Sequence, residues 1–178
     1  MIHRISKGMD WFIENEKGMN VYYPLLYSLI LSQKVKMAFE FGVGFSTQVM
    51  LEALTFTGGR LISCDFRGTD ALLGGGYDVG LLKEQAERWK CYQLSSESAL
   101  KKLTDERFDF VLHDGAHDKA QVEQDLASIT PRMNSGSLIV IHDTTHPSYD
   151  LRKGVGVKRE LTRMTFPKYM GLTVVQII

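Results

Sequence analysis

The sequence is poor in cysteine, carries no net charge and has no long apolar run, and each shortage excludes a class of protein. Its two cysteines, Cys64 and Cys91, belong to no CxxC or zinc-type motif, so we expect reduced, structural thiols and no disulfide framework. Lysine plus arginine and aspartate plus glutamate each number 21, so the overall charge indicates neither a nucleic-acid partner nor an anionic membrane surface. The longest apolar stretch, residues 24–31, is too short to cross a bilayer.

The N-terminus also lacks the apolar segment of a secretory signal, so we expect a cytoplasmic protein. With 44% apolar and 24% charged residues over 178 positions, the chain has the composition of one globular domain. We expect residues 1–34 to form two N-terminal helices, about Gly8 to Glu16 and Asn20 to Ser32, ahead of an α/β core over residues 35–178.

Short apolar runs alternate with helical patterns along the rest of the chain. Expected strands cover about residues 36–41, 60–65, 91–94, 107–114 and 137–143. Expected helices begin near Ser46 and Asp118 and cover about residues 79–89, 97–103 and 153–162, and a closing hairpin joins residues 164–169 to 171–178. This alternation predicts a doubly wound α/β domain, with a mostly parallel sheet and a C-terminal antiparallel hairpin.

Four of the predicted strands end in or near an acid: Glu40, Asp65, Asp114 and Asp143. Ligands of open α/β sheets bind beyond the carboxyl ends of the strands. One such acid could cap the next helix or face water, but four together indicate a ligand-binding crevice.

The glycine-containing stretch AFEFGVGFST, residues 38–47, follows the first strand. Gly42 and Gly44 resemble the start of a dinucleotide loop, but Thr47 stands where a third glycine would be expected. A carboxylate at Glu40 is awkward beside a pyrophosphate and suits an ammonium group. Asp65, 21 residues after Gly44, is placed for a ribose in either case. S-adenosylmethionine has an ammonium, a ribose and no phosphate, so the stretch favours that cofactor.

Four motifs in order carry a family resemblance: EFGVGFST, SCD, FDFVLHDGAH and NSGSLIVIHDT, which together span about residues 36–145. The chain resembles the class I S-adenosylmethionine-dependent methyltransferases. It is most similar to the branch with an IDGxH segment and a strand ending in HDT, which includes small-molecule and sugar O-methyltransferases and cephalosporin-hydroxylase-like proteins. The resemblance implies a Rossmann-like methyltransferase sheet.

The resemblance also implies where the cofactor binds. Asp65 would hold the ribose hydroxyls, Phe66 would lie near the adenine, and Ser96 would meet the adenine edge, where Ser95-Ser96 replaces the usual Gly-Asp. Ser46 and Thr47 would lie beside the methionine part, and Ser46 can also cap the helix. The full implied set is Glu40, Gly42, Gly44, Ser46, Thr47, Asp65, Phe66, Ser96 and Asp114.

Transfer to oxygen requires removal of the acceptor's proton, and the sequence offers two means. His117, near a predicted helix start, is a candidate general base that would act with Asp114 and Asp143. Alternatively, Asp114, His142 and Asp143 would hold a divalent metal, Mg²⁺ or Mn²⁺, that lowers the pKa of the acceptor. His117 could instead cap the helix, and His142 could be satisfied by backbone. We expect His113, which alternates away from the strand end, to be structural.

Two regions allow more than one interpretation. The glycine-rich loop 67–80 is either a lid over the ligands or an ordinary surface loop. The N-terminal aromatic stripe, which includes Trp11, Tyr22 and Tyr27, either walls an acceptor pocket or forms core or a homodimer face.

The preferred function is therefore methyl transfer from S-adenosylmethionine, most plausibly to a hydroxyl of a small molecule or sugar. A nicotinamide-dependent oxidoreductase is the alternative from another class, although Thr47 and Glu40 argue against it. A non-catalytic protein that binds S-adenosylmethionine is the third possibility, because Ser95-Ser96 departs from the usual pattern.

Overall fold

The computed structural model describes residues 18–69, 81, 83–103, 105–144, 161–166 and 170–177. The expected first N-terminal helix, most of loop 67–80 and most of the expected helix 153–162 lie outside these residues. Within the described part of the chain, no helix has the length and apolarity needed to cross a membrane.

Seven strands form one sheet in the order β3-β2-β1-β4-β5-β7-β6. The strands are β1 (Met37–Phe41), β2 (Arg60–Cys64), β3 (Trp89–Tyr92), β4 (Phe108–His113), β5 (Met133–His142), β6 (Leu161–Phe166) and β7 (Leu172–Ile177). The first five pair in parallel, whereas β7 pairs antiparallel with both β5 and β6. The predicted parallel sheet with a C-terminal antiparallel hairpin is confirmed.

Five α-helices lie within the described residues, the first before β1 and the other four between strands. They are α1 (Tyr23–Ser32), α2 (Phe45–Thr57), α3 (Lys83–Ala86), α4 (Ser96–Lys101) and α5 (Lys119–Ile129), with 3-10 turns at Gly18–Tyr22 and Thr130–Arg132. Asp118 caps α5, since its side chain accepts a hydrogen bond from the Gln121 backbone, and the sequence predicted that a helix begins near this residue. Gly58, in the left-handed conformation, ends α2.

The sheet buries both faces, as a doubly wound fold requires. Phe39 and Phe41 of β1 pack on one face with apolar residues of α4 and α5. Ala38 packs on the other face with α1 and α2. Because side chains alternate along β1, Glu40 points to the same face as Ala38, away from the face of Phe41.

Three predicted boundaries were wrong. Trp89, which was expected to end a helix, begins β3 and pairs with Leu61 of β2. The backbone groups of β2 at this edge of the sheet are available to hydrogen-bond with the segment that contains Trp89. β5 begins at Met133, and Gly136 lies inside it at φ +82°, where the pairing with β4 shifts register. Gly136 therefore makes a bulge within β5, directly before residue 137, where we expected the strand to begin. Thr162, the expected end of a helix, lies in β6.

The strand order places the carboxyl ends of β1, β2, β4 and β5 along one edge. The order reverses between β1 and β4, which start connections toward opposite ends of the sheet. The four acids predicted from the sequence all stand at this edge. Asp143, directly after β5, has a positive φ of 57°, a conformation that residues other than glycine rarely adopt and that is frequent at functional sites.

Candidate active site

A cavity of about 580 Å³ opens beyond the carboxyl ends of β1, β2 and β4, in the size range of small-molecule sites. Its wall includes six residues predicted from the sequence: Gly42, Asp65, Phe66, Ser96, Asp114 and His117. The other predicted residues, Glu40, Gly44, Ser46, Thr47, His142 and Asp143, lie outside this wall. The sequence analysis did not anticipate three further wall residues: Arg67, Gln121 and Asp125.

The two loop glycines have different surroundings. Gly42 has φ +86°, and a Cβ there would collide with the carbonyl oxygen of Asp114. Gly44 has nothing within 4 Å of such a Cβ. The Asp114 backbone N–H also donates to the Phe41 carbonyl at 3.0 Å. Glycine is thus needed at position 42 because the loop after β1 packs directly on the loop after β4, which fixes the two parts of the cavity against each other.

Glu40 lies under the glycine loop in a cage of hydroxyl groups. It is fully buried, and its carboxylate accepts hydrogen bonds from Ser46 at 2.7 Å, Thr47 at 2.7 Å and Ser63 at 2.8 Å. The Trp89 indole N–H in turn donates to Ser63 Oγ at 3.0 Å. Burial raises the pKa of Glu40 to about 7, against the opposing effect of the three hydroxyl donors.

This cage corrects one expectation and leaves another as a prediction. Ser46 does not cap α2, because Gly44 occupies the N-cap and the Ser46 hydroxyl donates to Glu40. Thr47 Oγ1 instead accepts from the Gly44 backbone N–H at 3.1 Å. The cage, and not the cavity, surrounds the Glu40 carboxylate, so its predicted contact with an ammonium group stays a prediction.

Asp65 stands at the end of β2 with both carboxylate oxygens engaged. Oδ2 accepts from the Val43 backbone at 3.0 Å and from Arg67 Nη2 at 2.8 Å. Oδ1 accepts from the Arg67 backbone at 2.7 Å and from Arg67 Nε at 3.1 Å. Burial would raise the pKa of Asp65, but the Arg67 and Val43 hydrogen bonds and the Arg67 charge outweigh it, and the pKa is lowered. Asp65 is therefore a carboxylate at neutral pH.

Phe66 is the most exposed large apolar side chain of the described residues, at 76%. It follows Asp65 directly and forms part of the cavity wall. An aromatic face that is left open beside a carboxylate can stack on a planar ring while the carboxylate binds hydroxyl groups.

Four side chains form a second polar cluster at the ends of β4 and β5. His142 Nδ1 lies 2.9 Å from Asp114 Oδ1 and 3.2 Å from Asp143 Oδ1. His117 Nδ1 lies 2.5 Å from Asp143 Oδ2. Burial lowers the pKa of His142, but the Asp114 hydrogen bond and the charges of Asp114 and Asp143 outweigh it, so the pKa is raised. His142 Nδ1 thus lies against two carboxylates, whereas the alternative interpretation expected backbone partners.

Two kinds of chemistry suit this cluster. His117 lies in the cavity wall, 56% exposed, and Asp143 orients its ring through Nδ1, the arrangement that leaves Nε2 able to accept a proton. Asp114, His142 and Asp143 also present ligand atoms within 4.8 Å of one another. Two carboxylates and an imidazole fit Mn²⁺ or Fe²⁺ better than Mg²⁺.

Neighbouring residues support the cluster. The Tyr22 ring, in the N-terminal 3-10 turn, meets His142 edge-on at 6.1 Å between ring centroids. Tyr22 and Tyr23 are buried, so this described part of the aromatic stripe belongs to the core. His113 is buried and pairs with Asp125 at 3.1 Å, which confirms the structural role expected for it.

Sequence signals existed for two of the unanticipated wall residues. Arg67 follows Asp65 closely enough for its side chain to fold back on that carboxylate. Asp125 lies between Val122 and Leu126 on the apolar face of α5, and a carboxylate at a core position requires a buried partner. Gln121 gave no signal beyond its place in the helix cap.

Comparison with known proteins gives a family match and several structural matches. Residues 39–144 match the model of a family described as a methyltransferase domain. The fold resembles an O-methyltransferase from Bacillus cereus in complex with SAH, with a TM-score of 0.67, 16% identity and coverage of 89% of this chain and 81% of that one. No match was found among curated protein sequences.

Two further structures share the fold. The SAH-bound methyltransferase PaMTH1 of Podospora anserina aligns with a TM-score of 0.67 and 15% identity, over 98% of this chain and 87% of that one. MycE from the mycinamycin biosynthetic pathway, in complex with Mg, SAH and mycinamycin VI, aligns with a TM-score of 0.60 and 18% identity, over 89% of this chain and 48% of that one.

Proposed function

The chain belongs to the methyltransferase-domain family, and we propose that it transfers the methyl group of S-adenosylmethionine to a hydroxyl oxygen of a small molecule or sugar. The family match confirms the resemblance found in the four sequence motifs. Structural neighbours determined with SAH support the choice of cofactor.

One observation carries the proposal: residues that suit a nucleoside and a candidate general base border the same cavity. Asp65 and Phe66 form the first, and His117, oriented by Asp143, forms the second. The aromatic ring and the carboxylate suit an adenine and a ribose, while the histidine suits proton removal.

The chain's own residues would supply positioning and proton transfer. The cofactor supplies an electrophilic methyl group when bound. The Asp143 carboxylate would accept the Nδ1–H of His117, which holds the ring in the tautomer whose Nε2 carries the basic lone pair. His117 then takes the proton of the acceptor hydroxyl, a contribution that is typically about 10²–10⁴-fold in rate. The cavity wall would have to hold the acceptor oxygen close to the methyl carbon for transfer to occur.

A divalent metal is the second means of activating the acceptor. Asp114, His142 and Asp143 would hold it, and it would lower the pKa of a bound hydroxyl. MycE, a neighbour whose structure contains Mg, supports testing Mg²⁺ beside Mn²⁺.

Calorimetric titration tests the proposed cofactor. S-adenosylmethionine and SAH should both bind, and NAD should not. Asp65→Ala should weaken SAH at least about tenfold, because the ribose loses its carboxylate. Glu87→Ala, at an exposed acid of the α3–β3 connection, is the matched control. NAD binding without SAH binding would exclude the methyltransferase assignment.

A rate assay tests the reaction. Methyl-labelled S-adenosylmethionine should label hydroxylated small molecules or sugars in an acceptor screen. Tight SAH binding without transfer to any hydroxyl, amine or thiol acceptor would favour the non-catalytic alternative.

A further inference from the structure

The turn after β2 holds a charged side chain at the wall of the cavity. The Gly68 backbone N–H donates to the Asp65 carbonyl at 3.0 Å, and Gly68 has φ +60°, so residues 65–68 form a tight turn that ends on a glycine. A Cβ at position 68 would press on the Gln93 side chain at 3.1 Å. The turn brings the Arg67 side chain back onto Asp65, and both residues belong to the cavity wall.

The Asp65 carboxylate receives donors of two kinds. The backbone N–H of Arg67 donates to Oδ1 at 2.7 Å, and the backbone N–H of Val43 donates to Oδ2 at 3.0 Å. Each oxygen has a second donor from the Arg67 guanidinium, because Nε donates to Oδ1 at 3.1 Å and Nη2 donates to Oδ2 at 2.8 Å. The backbone donors are part of the framework of the site, whereas the guanidinium is carried by a side chain that can move.

The guanidinium also contacts the glycine loop. Arg67 Nη2 donates to the Val43 carbonyl oxygen at 3.3 Å, and Val43 stands between Gly42 and Gly44. One side chain therefore connects the two loops that the sequence predicts to contact the cofactor. The Arg67 side chain is 67% exposed and that of Asp65 is 9% exposed. The guanidinium can thus move into water while the carboxylate stays in the wall.

Departure of the guanidinium would free one acceptor position on each carboxylate oxygen of Asp65. It would also free the Val43 carbonyl, and the two backbone donors to Asp65 would remain. One acceptor position on each of two adjacent oxygens suits the two neighbouring hydroxyl groups of a ribose. The two N–H groups of the guanidinium therefore occupy the positions at which those hydroxyl groups would donate.

We propose that Arg67 is an internal competitor of the cofactor: its guanidinium occupies the ribose position on Asp65 in the free protein, and the cofactor binds by displacing it into solvent. This competition rests on the proposed function, and it adds a control of cofactor affinity by one side chain. Because exposed side chains reorient within nanoseconds, the competition lowers the affinity for the cofactor and does not limit the rate of its binding.

Nuclear magnetic resonance of ¹⁵N-labelled protein tests the displacement directly. The Arg67 Nε–H signal, which Arg67→Met identifies by its loss, should move on saturation with SAH to the position typical of solvent-exposed arginines. Arg60, an exposed residue at the start of β2, is the reference, and its signal should not move. An Arg67 signal that is unchanged at saturation would overturn the inference and leave the proposed function intact. Failure of SAH to bind at all would overturn both.

The salt dependence of affinity separates competition from other roles of Arg67. At about 50 mM NaCl, calorimetry should show SAH binding about three- to tenfold more tightly to Arg67→Met than to the wild type, because the competing ion pair is absent. At about 1 M NaCl the exposed ion pair is screened, so this ratio should fall by about half or more. Taking the ratio cancels salt effects that both proteins share.

Arg60→Met is the matched control, and its affinity should equal that of the wild type at both salt concentrations. A ratio for Arg67→Met that does not change with salt would overturn the inference. Weaker binding of SAH to Arg67→Met would also overturn it, since a competitor cannot support the ligand that it excludes.

Arg67→Lys distinguishes the shape of the guanidinium from its charge. Lysine keeps the positive charge but cannot present two parallel N–H groups to the two oxygens of Asp65. SAH affinity in Arg67→Lys should therefore lie between those of the wild type and Arg67→Met. An affinity equal to that of the wild type would show that charge alone weakens the ligand, and it would overturn the assignment of the guanidinium to the ribose position.

Discussion

Glu40 and Asp143 both stand at the carboxyl ends of parallel strands, and their surroundings differ. Glu40 is enclosed by three hydroxyl donors, and burial raises its pKa to about 7. Asp143 meets two histidines, one of which opens onto the cavity. The backbone also differs, since Asp143 has a positive φ, whereas Glu40 lies inside regular β1.

The difference teaches that an acid at a strand end acquires its role from the neighbouring elements. Ser46 and Thr47 of α2 and Ser63 of β2 close over Glu40 and hold the glycine loop to the sheet. The loop after β4 brings His117 to Asp143 and leaves the pair at the cavity. We therefore expect changes at Glu40 to act mainly on stability and changes at Asp143 mainly on turnover.

The largest expected effect is on turnover. His117→Ala and Asp143→Asn should each lower kcat by about 10²–10⁴, because the general base is removed or loses its orientation. SAH affinity should change by less than about threefold. The measurements are initial rates with an acceptor found by the screen and calorimetry with SAH. Glu123→Gln on the outer face of α5 is the control and should keep the wild-type rate. An equal loss of rate in Glu123→Gln, or full activity in both His117→Ala and Asp143→Asn, would contradict the assignment of His117 as the general base.

The next effect is the pH dependence of stability at Glu40. Because its pKa in the folded state is about 7 and its ordinary value is 4.5, Glu40 favours folding fully below pH 4.5, and this contribution is lost as pH rises through 7. The loss is on the order of 3 kcal/mol. Urea unfolding from pH 4.5 to 8 should show that Glu40→Gln removes this dependence.

Glu87→Gln, at an exposed carboxylate, should keep the wild-type dependence. An unchanged slope in Glu40→Gln would mean that Glu40 is ionised in the folded protein and that the cage stabilises its charge. Glu40 and Asp143 would then both be ionised in the folded protein and would differ only in the arrangement of their neighbouring side chains.

A smaller effect is expected from metal ions. Mn²⁺ at about ten times its dissociation constant should stabilise the protein by about 1.4 kcal/mol, which corresponds to a rise in Tm of roughly 3–6 °C for a chain of this size. His142→Ala should abolish the rise, and His117→Ala, which keeps all three ligands, should preserve it. An equal rise in His142→Ala would exclude this metal site.

The smallest effect concerns Arg67. All four acceptor positions of Asp65 are occupied, two of them by the Arg67 guanidinium, so a ribose must displace that side chain. Arg67→Met should therefore tighten SAH binding by about three- to tenfold in calorimetry. Arg60→Met, at the opposite end of β2, should have no effect. Weaker binding in Arg67→Met would show that the guanidinium contacts the ligand.

The sequence predicted the fold well because its signals were local. Apolar runs and turn residues located β1, β2 and β4 within one residue at each end. The sequence-based prediction failed at Trp89. The helical periodicity continues through this residue, and its strand conformation depends on pairing with β2. The start of β5 was misplaced for a similar reason, since the bulge at Gly136 depends on pairing with the neighbouring strand.

For the site, residue types were predictable and their partners were not. Motif order indicated that Asp114, His142 and Asp143 would gather, and they do. The enclosure of Glu40 depends on the distant Ser63, and the buried pairing of His113 depends on Asp125. Such partners meet only in the folded chain.

The Trp89 indole, which donates to Ser63, makes the Glu40 cage optically observable. The Ser63 hydroxyl donates its own hydrogen bond to Glu40. Ionisation of the Glu40 carboxylate therefore places a negative charge two hydrogen bonds away from the Trp89 indole. With Trp11, the only other tryptophan of the chain, replaced by phenylalanine, emission should follow a single titration. The protein thus contains its own spectroscopic indicator for the buried Glu40 carboxylate beneath its glycine loop.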